Sequence, residues 1–382
     1  MDSCYLDWAA SAPPYDDILR AHAELSLRLY ANPSSSHGPG KAAYAELTQA
    51  RGSLAGVLQS PPERLFFSSG GSEADAIVLL STLFDKKRRG IVVSAIEHAA
   101  VYEQARLLEG FGLRVNYVKP DKDGIVQPEA VLAALEPDCG LVSIMTVNNE
   151  TGAVQPVAAI ARAVRDALPQ RPPLIHSDAV QALGKIPCSM KALGIDAASF
   201  SAHKLGGPRG IGALYLKKDI PALARGGGQE GGIRAGTHNT AGAWAFSQAA
   251  VRAAADLDDN YKRARMLEKR LLEGIKSIPG ALSLPLGRQA GDERFSPYIL
   301  SVAFPGLGGE TLARVLDDQG IAVSTGSACS HGSKERRILD AQGLAPELSF
   351  SYLRISTGRG SSVHDIDLFL ERAAAAYARY KT

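Results

Sequence analysis

From about residue 65 to residue 216 the chain alternates short apolar runs with longer stretches whose apolar positions recur every three or four residues. The short runs are Leu65–Ser69, Ile91–Ala95, Leu113–Val118, Leu141–Val147, Leu174–Ser177, Ala197–Ser201 and Gly212–Leu216. They carry little charge, as strands covered on both faces do. Between them, Glu73–Phe84, Ala100–Glu109, Glu129–Leu135 and Val157–Leu168 read as helices. In the last of these, Val157, Ile160, Ala161, Val164 and Leu168 recur at helical spacing. The alternation predicts an α/β fold with a mostly parallel seven-stranded sheet covered by helices. Such sheets bind ligands beyond the carboxyl ends of their strands. A glycine-rich segment, Arg225–Gly236, then breaks the pattern. A long charged helix follows over Asp256–Ile275, containing Met266, Leu267, Leu271 and Leu272. Beyond it lies a smaller α/β unit with strands near Tyr298–Phe304, Ile321–Ser324 and Tyr352–Ser356 and a closing helix over Val363–Tyr380. Two domains are expected, joined by the long helix near residue 255.

Composition narrows the class of protein. The 382 residues carry 42 basic and 40 acidic side chains, so global charge points to neither nucleic acid nor an anionic membrane. A hydrophobic content of 45% is ordinary for a globular chain and argues against disorder. The longest strictly apolar run is Ala373–Ala378, too short to span a bilayer. Met1-Asp2-Ser3-Cys4 lacks the basic start and apolar stretch of a signal peptide. Cys4, Cys139, Cys188 and Cys329 lie far apart, without a disulfide framework or a zinc spacing. A reducing cytoplasm is the expected location.

Three strand ends carry candidate chemistry. In Ser199-Phe200-Ser201-Ala202-His203-Lys204-Leu205-Gly206-Gly207 an apolar strand runs straight into a lysine. Partial desolvation there lowers an ammonium pKa, which is what an amine needs to form a Schiff base with an aldehyde cofactor. A solvent-facing lysine capping a strand is the plainer alternative. Asp178 ends another apolar strand and suits pairing with a protonated pyridine nitrogen, although alone it reads as a helix N-cap. Phe67-Ser68-Ser69-Gly70-Gly71-Ser72-Glu73 runs strand, turn, helix start and points backbone N–H groups at an anion. Three such features at the ends of strands in one sheet are far less accidental than any one.

With these in place, the chain resembles pyridoxal-phosphate enzymes of fold type I, class V aminotransferase group, and more narrowly the cysteine desulfurases of the IscS/NifS type. The resemblance covers nearly the whole chain. It rests on Asn32-Pro33-Ser34-Ser35-Ser36-His37, Glu97-His98-Ala99-Ala100-Val101 and Val147-Asn148-Asn149-Glu150-Thr151-Gly152 besides the segments above. Further markers are Arg234-Ala235-Gly236-Thr237, Gly326-Ser327-Ala328-Cys329 and Leu353-Arg354-Ile355-Ser356. The resemblance implies a large cofactor-binding domain over 16–255. It implies a small domain from 1–15 and 256–382 that carries a catalytic cysteine loop.

It also implies roles. Lys204 would hold pyridoxal 5'-phosphate and shuttle protons, with Asp178 on the pyridine nitrogen, Gln181 on the ring phenol oxygen and His98 stacked on the ring. His98, an ordinary capping or core residue by itself, would also act in acid–base steps on the substrate thiol. Gly71, Ser72, Ser201 and His203 would hold the phosphate, joined by the partner subunit's Thr237 in a homodimer. Asn149 and Arg354 would position the amino acid, the guanidinium gripping its carboxylate; a structural ion pair is the alternative role for Arg354.

Cys329 selects the reaction. It lies among small polar residues in Ser324–Lys334, with His331 and Lys334 nearby to favour a thiolate. In the family such a cysteine takes sulfur from L-cysteine as a persulfide, releases L-alanine, and passes the sulfur to an acceptor such as an iron–sulfur scaffold. Selenocysteine lyase and class V aminotransferase are the alternative activities. The sequence departs from the family pattern at Ala76, where asparagine is usual, and at Gly231-Gly232, where arginine is common.

Overall fold

The computed structural model describes residues 4–326 and 336–381. Twelve strands occur among them. In chain order these are β1 (Cys4–Tyr5), β2 (Leu65–Ser68), β3 (Gly90–Ser94), β4 (Arg114–Val118), β5 (Cys139–Ser143) and β6 (Leu174–Asp178), followed by β7 (Ala197–Ser201), β8 (Gly212–Leu216), β9 (Leu282–Leu284), β10 (Ile299–Ala303), β11 (Ile321–Ala322) and β12 (Tyr352–Ser356). Seven of them form one sheet in the order β2-β8-β7-β6-β5-β3-β4. All seven apolar runs of the sequence are strands of this sheet. β8 alone runs against its neighbours, antiparallel to both β2 and β7. The carboxyl ends of β2, β3, β5, β6 and β7 therefore lie along one edge.

Helices cover both faces of this sheet, as the apolar runs require. On one side, Leu47, Ala50 and Leu54 of helix Gly38–Leu58 join Ala243, Phe246 and Ala250 of helix Thr240–Ala255 in the largest apolar cluster. On the other, Ala74 and Val78 of helix Gly71–Ser81 and Val101, Ala105 and Leu108 of helix Ala99–Gly110 meet Ile91, Val93 and Leu141.

The predicted long helix runs Leu257–Lys276 and buries Leu267, Leu271, Leu272 and Ile275, while Met266 faces outward. These side chains share a separate apolar cluster with Leu6, Leu300, Val302, Leu353, Ile355, Phe369 and Tyr377. That cluster packs on the antiparallel sheet β12-β10-β9 and the closing helix Val363–Tyr380. The start of the chain is sewn into the same unit, since β1 pairs in parallel with β11 and Asp7 bridges to Ser356. No described helix is long and apolar enough to cross a membrane.

Candidate active site

A cavity of about 250 Å³ opens where the strand ends meet. Gly71, Ser72, His98, Asn149, Asp178, Gln181, Ser201, His203, Lys204 and Arg354 all line it. Ten residues chosen from the sequence thus converge on one space. Thr237 does not reach it and lies exposed in the glycine-rich segment. Cys329, together with His331 and Lys334, lies outside the described residues.

Local structure explains each position. β6 ends on Asp178, whose Oδ1 accepts the Val180 N–H at 2.9 Å. β7 ends on Ser201 and passes into a single tight turn, Ala202–Lys204. Lys204 Nζ donates to the carbonyl oxygens of Ala9 and Ala10, at 2.7 and 2.8 Å, in the segment that follows β1. β2 ends on Ser68, and helix Gly71–Ser81 begins three residues later, so its first N–H groups face the cavity without partners inside the helix. Close approach demands glycine at its first position: a Cβ on Gly71 would stand 2.6 Å from Val180 Cγ2. Ser72, Ser201 and His203 add polar side chains beside these N–H groups, which makes an anion cradle.

His98 caps helix Ala99–Gly110, its Nδ1 accepting the Ala100 N–H at 3.1 Å. Burial, with Lys204 and Arg337 nearby, pulls its pKa down to about 4. The ring is therefore neutral near pH 7 and carries its proton on Nε2, because Nδ1 is the acceptor for Ala100. Burial and Lys204 likewise hold His203 at about 4.

Asn149 is presented by a stitched loop: Asn148 Oδ1 accepts from the N–H groups of Glu150 and Thr151, and its Nδ2 donates to the Ile96 carbonyl. Arg288, fully buried against Glu268 at 2.6 Å, donates to the carbonyls of Thr151 and Ile299 and so ties this loop to β10. Arg354 makes the ion pair that was its alternative role, with Nη2 on Asp7 at 2.8 Å, and Nη1 donates to the Asn149 carbonyl. Its Nε–H and the Asn149 Oδ1 are buried without a partner among the described residues. Both polar atoms are thus left over for a ligand.

Four ionisable side chains to which the sequence assigns no role also stand in or beside this site: Asp75, His176, Glu97 and Lys185. Asp75, also lining the cavity, is buried beside Asp178, and its Oδ1 stands 3.5 Å from His176 Nε2. Burial and the Asp178 charge push its carboxyl well above the usual range. Its place four residues after Gly71, on the same helix face, was the available signal. His176 hydrogen-bonds Ser143 and Ser199, and burial drives its pKa down to about 3. Glu97 is buried with its pKa raised to about 8 by desolvation. Lys185 is buried as well, and donates to Gln181 Oε1 at 2.7 Å. Burial raises Asp178 itself to about 6, opposed by the Val180 N–H and by Lys204. That still leaves the carboxylate mostly ionised at neutral pH.

An amine, a carboxylate and an anion cradle around one cavity define a site for a phosphorylated aldehyde with a basic ring nitrogen. Comparison with known proteins agrees. The aminotransferase class-V family model matches residues 4–369. Cysteine desulfurase IscS of Methanosarcina thermophila is 35% identical, covering 96% of this chain and 90% of that protein. Cysteine desulfurase IscS of Proteus mirabilis (strain HI4320) is 36% identical, covering 99% and 93%. A solved structure titled NifS-like protein superposes with a TM-score of 0.91 at 35% identity, covering 99% of this chain and 100% of that one. The chain belongs to the class-V aminotransferase family, within its IscS/NifS cysteine desulfurases. It is an enzyme of the fold-type I architecture, and its cofactor is pyridoxal 5'-phosphate.

Proposed function

We propose that this protein is an L-cysteine desulfurase that moves the substrate sulfur onto Cys329 as a persulfide and releases L-alanine. The observation that carries the reading is the convergence of Lys204, Asp178, His98 and the Gly71–Ser72 cradle on one cavity, with unpartnered Arg354 Nε and Asn149 Oδ1 beside them. When bound, pyridoxal 5'-phosphate supplies an electron sink for bond breaking next to the amino carbon. Lys204 supplies the anchoring amine and carries protons to and from the substrate carbons. Asp178 stabilises a protonated ring nitrogen, and the helix start with Ser72, Ser201 and His203 holds the phosphate. Arg354 and Asn149 fix the substrate carboxylate. His98, on releasing Nδ1 from the Ala100 N–H, would take the proton from the substrate thiol. The Cys329 thiolate then attacks the substrate Sγ: the S–S bond forms as the C–S bond breaks. The bonding pair goes to the β-carbon, which takes up a proton to complete alanine.

The chain divides, in this reading, into a large domain over 16–255 and a small one from 1–15 and 256–382. The separate apolar cluster around Leu271, Leu353 and Phe369 supports that division. A homodimer is proposed in which the partner subunit's Thr237 completes the phosphate site. The exposed side chains of Leu27, Tyr30 and Tyr44 support a covered surface near the start of the chain. The sulfur passes to an acceptor protein such as an iron–sulfur scaffold, in the cytoplasm. Three unpaired cysteines, Cys4, Cys139 and Cys188, suit that reducing compartment.

The test is direct. Purified protein given L-cysteine and a reductant forms alanine and sulfide in equal amounts. Cys329→Ala abolishes sulfide release yet keeps the yellow cofactor band. Alanine and sulfide both absent would overturn the assignment.

A further inference from the structure

Gln181 lines the cavity and is buried, and its amide is gripped from two sides. Lys185 Nζ donates to Oε1 at 2.7 Å, while Nε2 donates to the Ala9 carbonyl at 2.9 Å. Rotating the amide by half a turn would set Oε1 against the Ala9 carbonyl oxygen and Nε2 against a donating amine. Both contacts therefore select one orientation. In that orientation one hydrogen of Nε2 is used by Ala9 and the other remains for the cavity. The same Ala9 carbonyl also receives Lys204 Nζ at 2.7 Å, so the two lysines grip one short chain of groups from opposite ends.

We propose that Lys185 is a positioning residue: it locks the Gln181 amide so that an N–H, rather than a carbonyl oxygen, faces the ring oxygen of the bound cofactor. The inference rests on the cofactor reading of this cavity and deepens it. Lys185 acts through Gln181 and touches no reacting atom. Burial, with Lys204 and Arg354 facing it, lowers its pKa to about 7, so it serves as a donor in either protonation state. It lies four positions after Gln181 in the run of turns that follows β6, where the Lys185 N–H donates to the Ala182 carbonyl and the chain folds back so that both side chains meet.

An N–H donor stabilises the deprotonated ring oxygen and so favours loss of the proton that it shares with the Lys204 nitrogen. Losing the lock weakens one hydrogen bond and moves the titration midpoint of the visible band upward, by up to about one pH unit. The experiment titrates that band in cofactor-loaded wild type, Lys185→Met, Gln181→Ala and the double variant. The expected result is a similar upward shift in all three variants, with no addition in the double one. Lys185→Gln, which keeps an N–H donor, recovers part of the shift and serves if Lys185→Met does not fold. An unchanged midpoint in Lys185→Met overturns the proposal. So does a full extra shift when Lys185→Met is added to Gln181→Ala, which would show an action independent of the amide. Failure of wild type to form any visible band overturns the cofactor reading and this role together, which separates that failure from the other two.

Discussion

Glu230 and Glu97 are both buried carboxyls, yet they end in opposite states. Glu230, in the glycine-rich segment, takes both guanidinium nitrogens of Arg51 at 2.7 and 2.8 Å, the Phe67 N–H at 2.8 Å, and stands 3.2 Å from His238 Nε2. Although burial opposes it, these partners hold its pKa down at about 2. Glu97, behind the cavity, receives only the Ser94 hydroxyl and the Met145 N–H, and its Oε2 has no partner among the described residues. Arg337 lies close but spends its fork on the carbonyls of Ala95 and Glu97. Desolvation therefore wins, and Glu97 rises to about 8. Burial penalises charge in both places, and a cation in direct contact decides the outcome. One cluster is a rivet that ties the segment 225–236 to β2; the other is a carboxyl that burial holds toward its neutral form, one residue before His98.

The largest effect expected from breaking this contrast is Glu230→Ala. It strands Arg51 and should remove about 4 kcal/mol of unfolding free energy, read from a denaturant midpoint. A loss below about 1 kcal/mol would refute the rivet. Glu97→Gln should act the other way. Because Glu97 binds its proton more tightly when folded, its favourable share is present below its ordinary value of 4.5 and disappears as pH rises through about 8. The variant should thus gain about 4 kcal/mol over wild type at pH 8 and nothing near pH 4. Acid sharpens the comparison further. The Glu230 share is present above 4.5 and vanishes as pH falls towards 2, so wild type should lose about 2 kcal/mol by pH 3 that Glu230→Ala does not. Asp75→Asn comes last. Burial and the Asp178 charge already favour its protonated form, so the amide should change stability by less than about 1 kcal/mol and leave the visible band in place.

The seven-stranded sheet was legible because strands covered on both faces leave dense apolar runs that need no tertiary knowledge. The antiparallel direction of β8 was not, since an apolar pentapeptide carries no arrow. Helices Asp16–Arg28, Gly38–Leu58 and Thr240–Ala255 also went unpredicted. The last two are rich in alanine and glycine and bury small side chains against each other, so they offer little contrast between faces. Within the site, Lys204, Asp178 and Gly71 stood out because each interrupts or ends an apolar strand. Asp75, in a helix, and Lys185, in the turns after β6, did not, because an isolated charged residue reads as solvated until its neighbours are known. Arg354 shows the same limit: its ion-pair partner, Asp7, lies 347 positions away.

The stitching of β1 to β11 orders events in time. On the ribosome, Cys4–Tyr5 emerges early but has no edge to join until Ile321–Ala322 has been made. Ala9 and Ala10, the two carbonyls that grip the lysine amine, hang from that strand. A nascent chain therefore makes every strand of its seven-stranded sheet long before it makes the partner that anchors this grip.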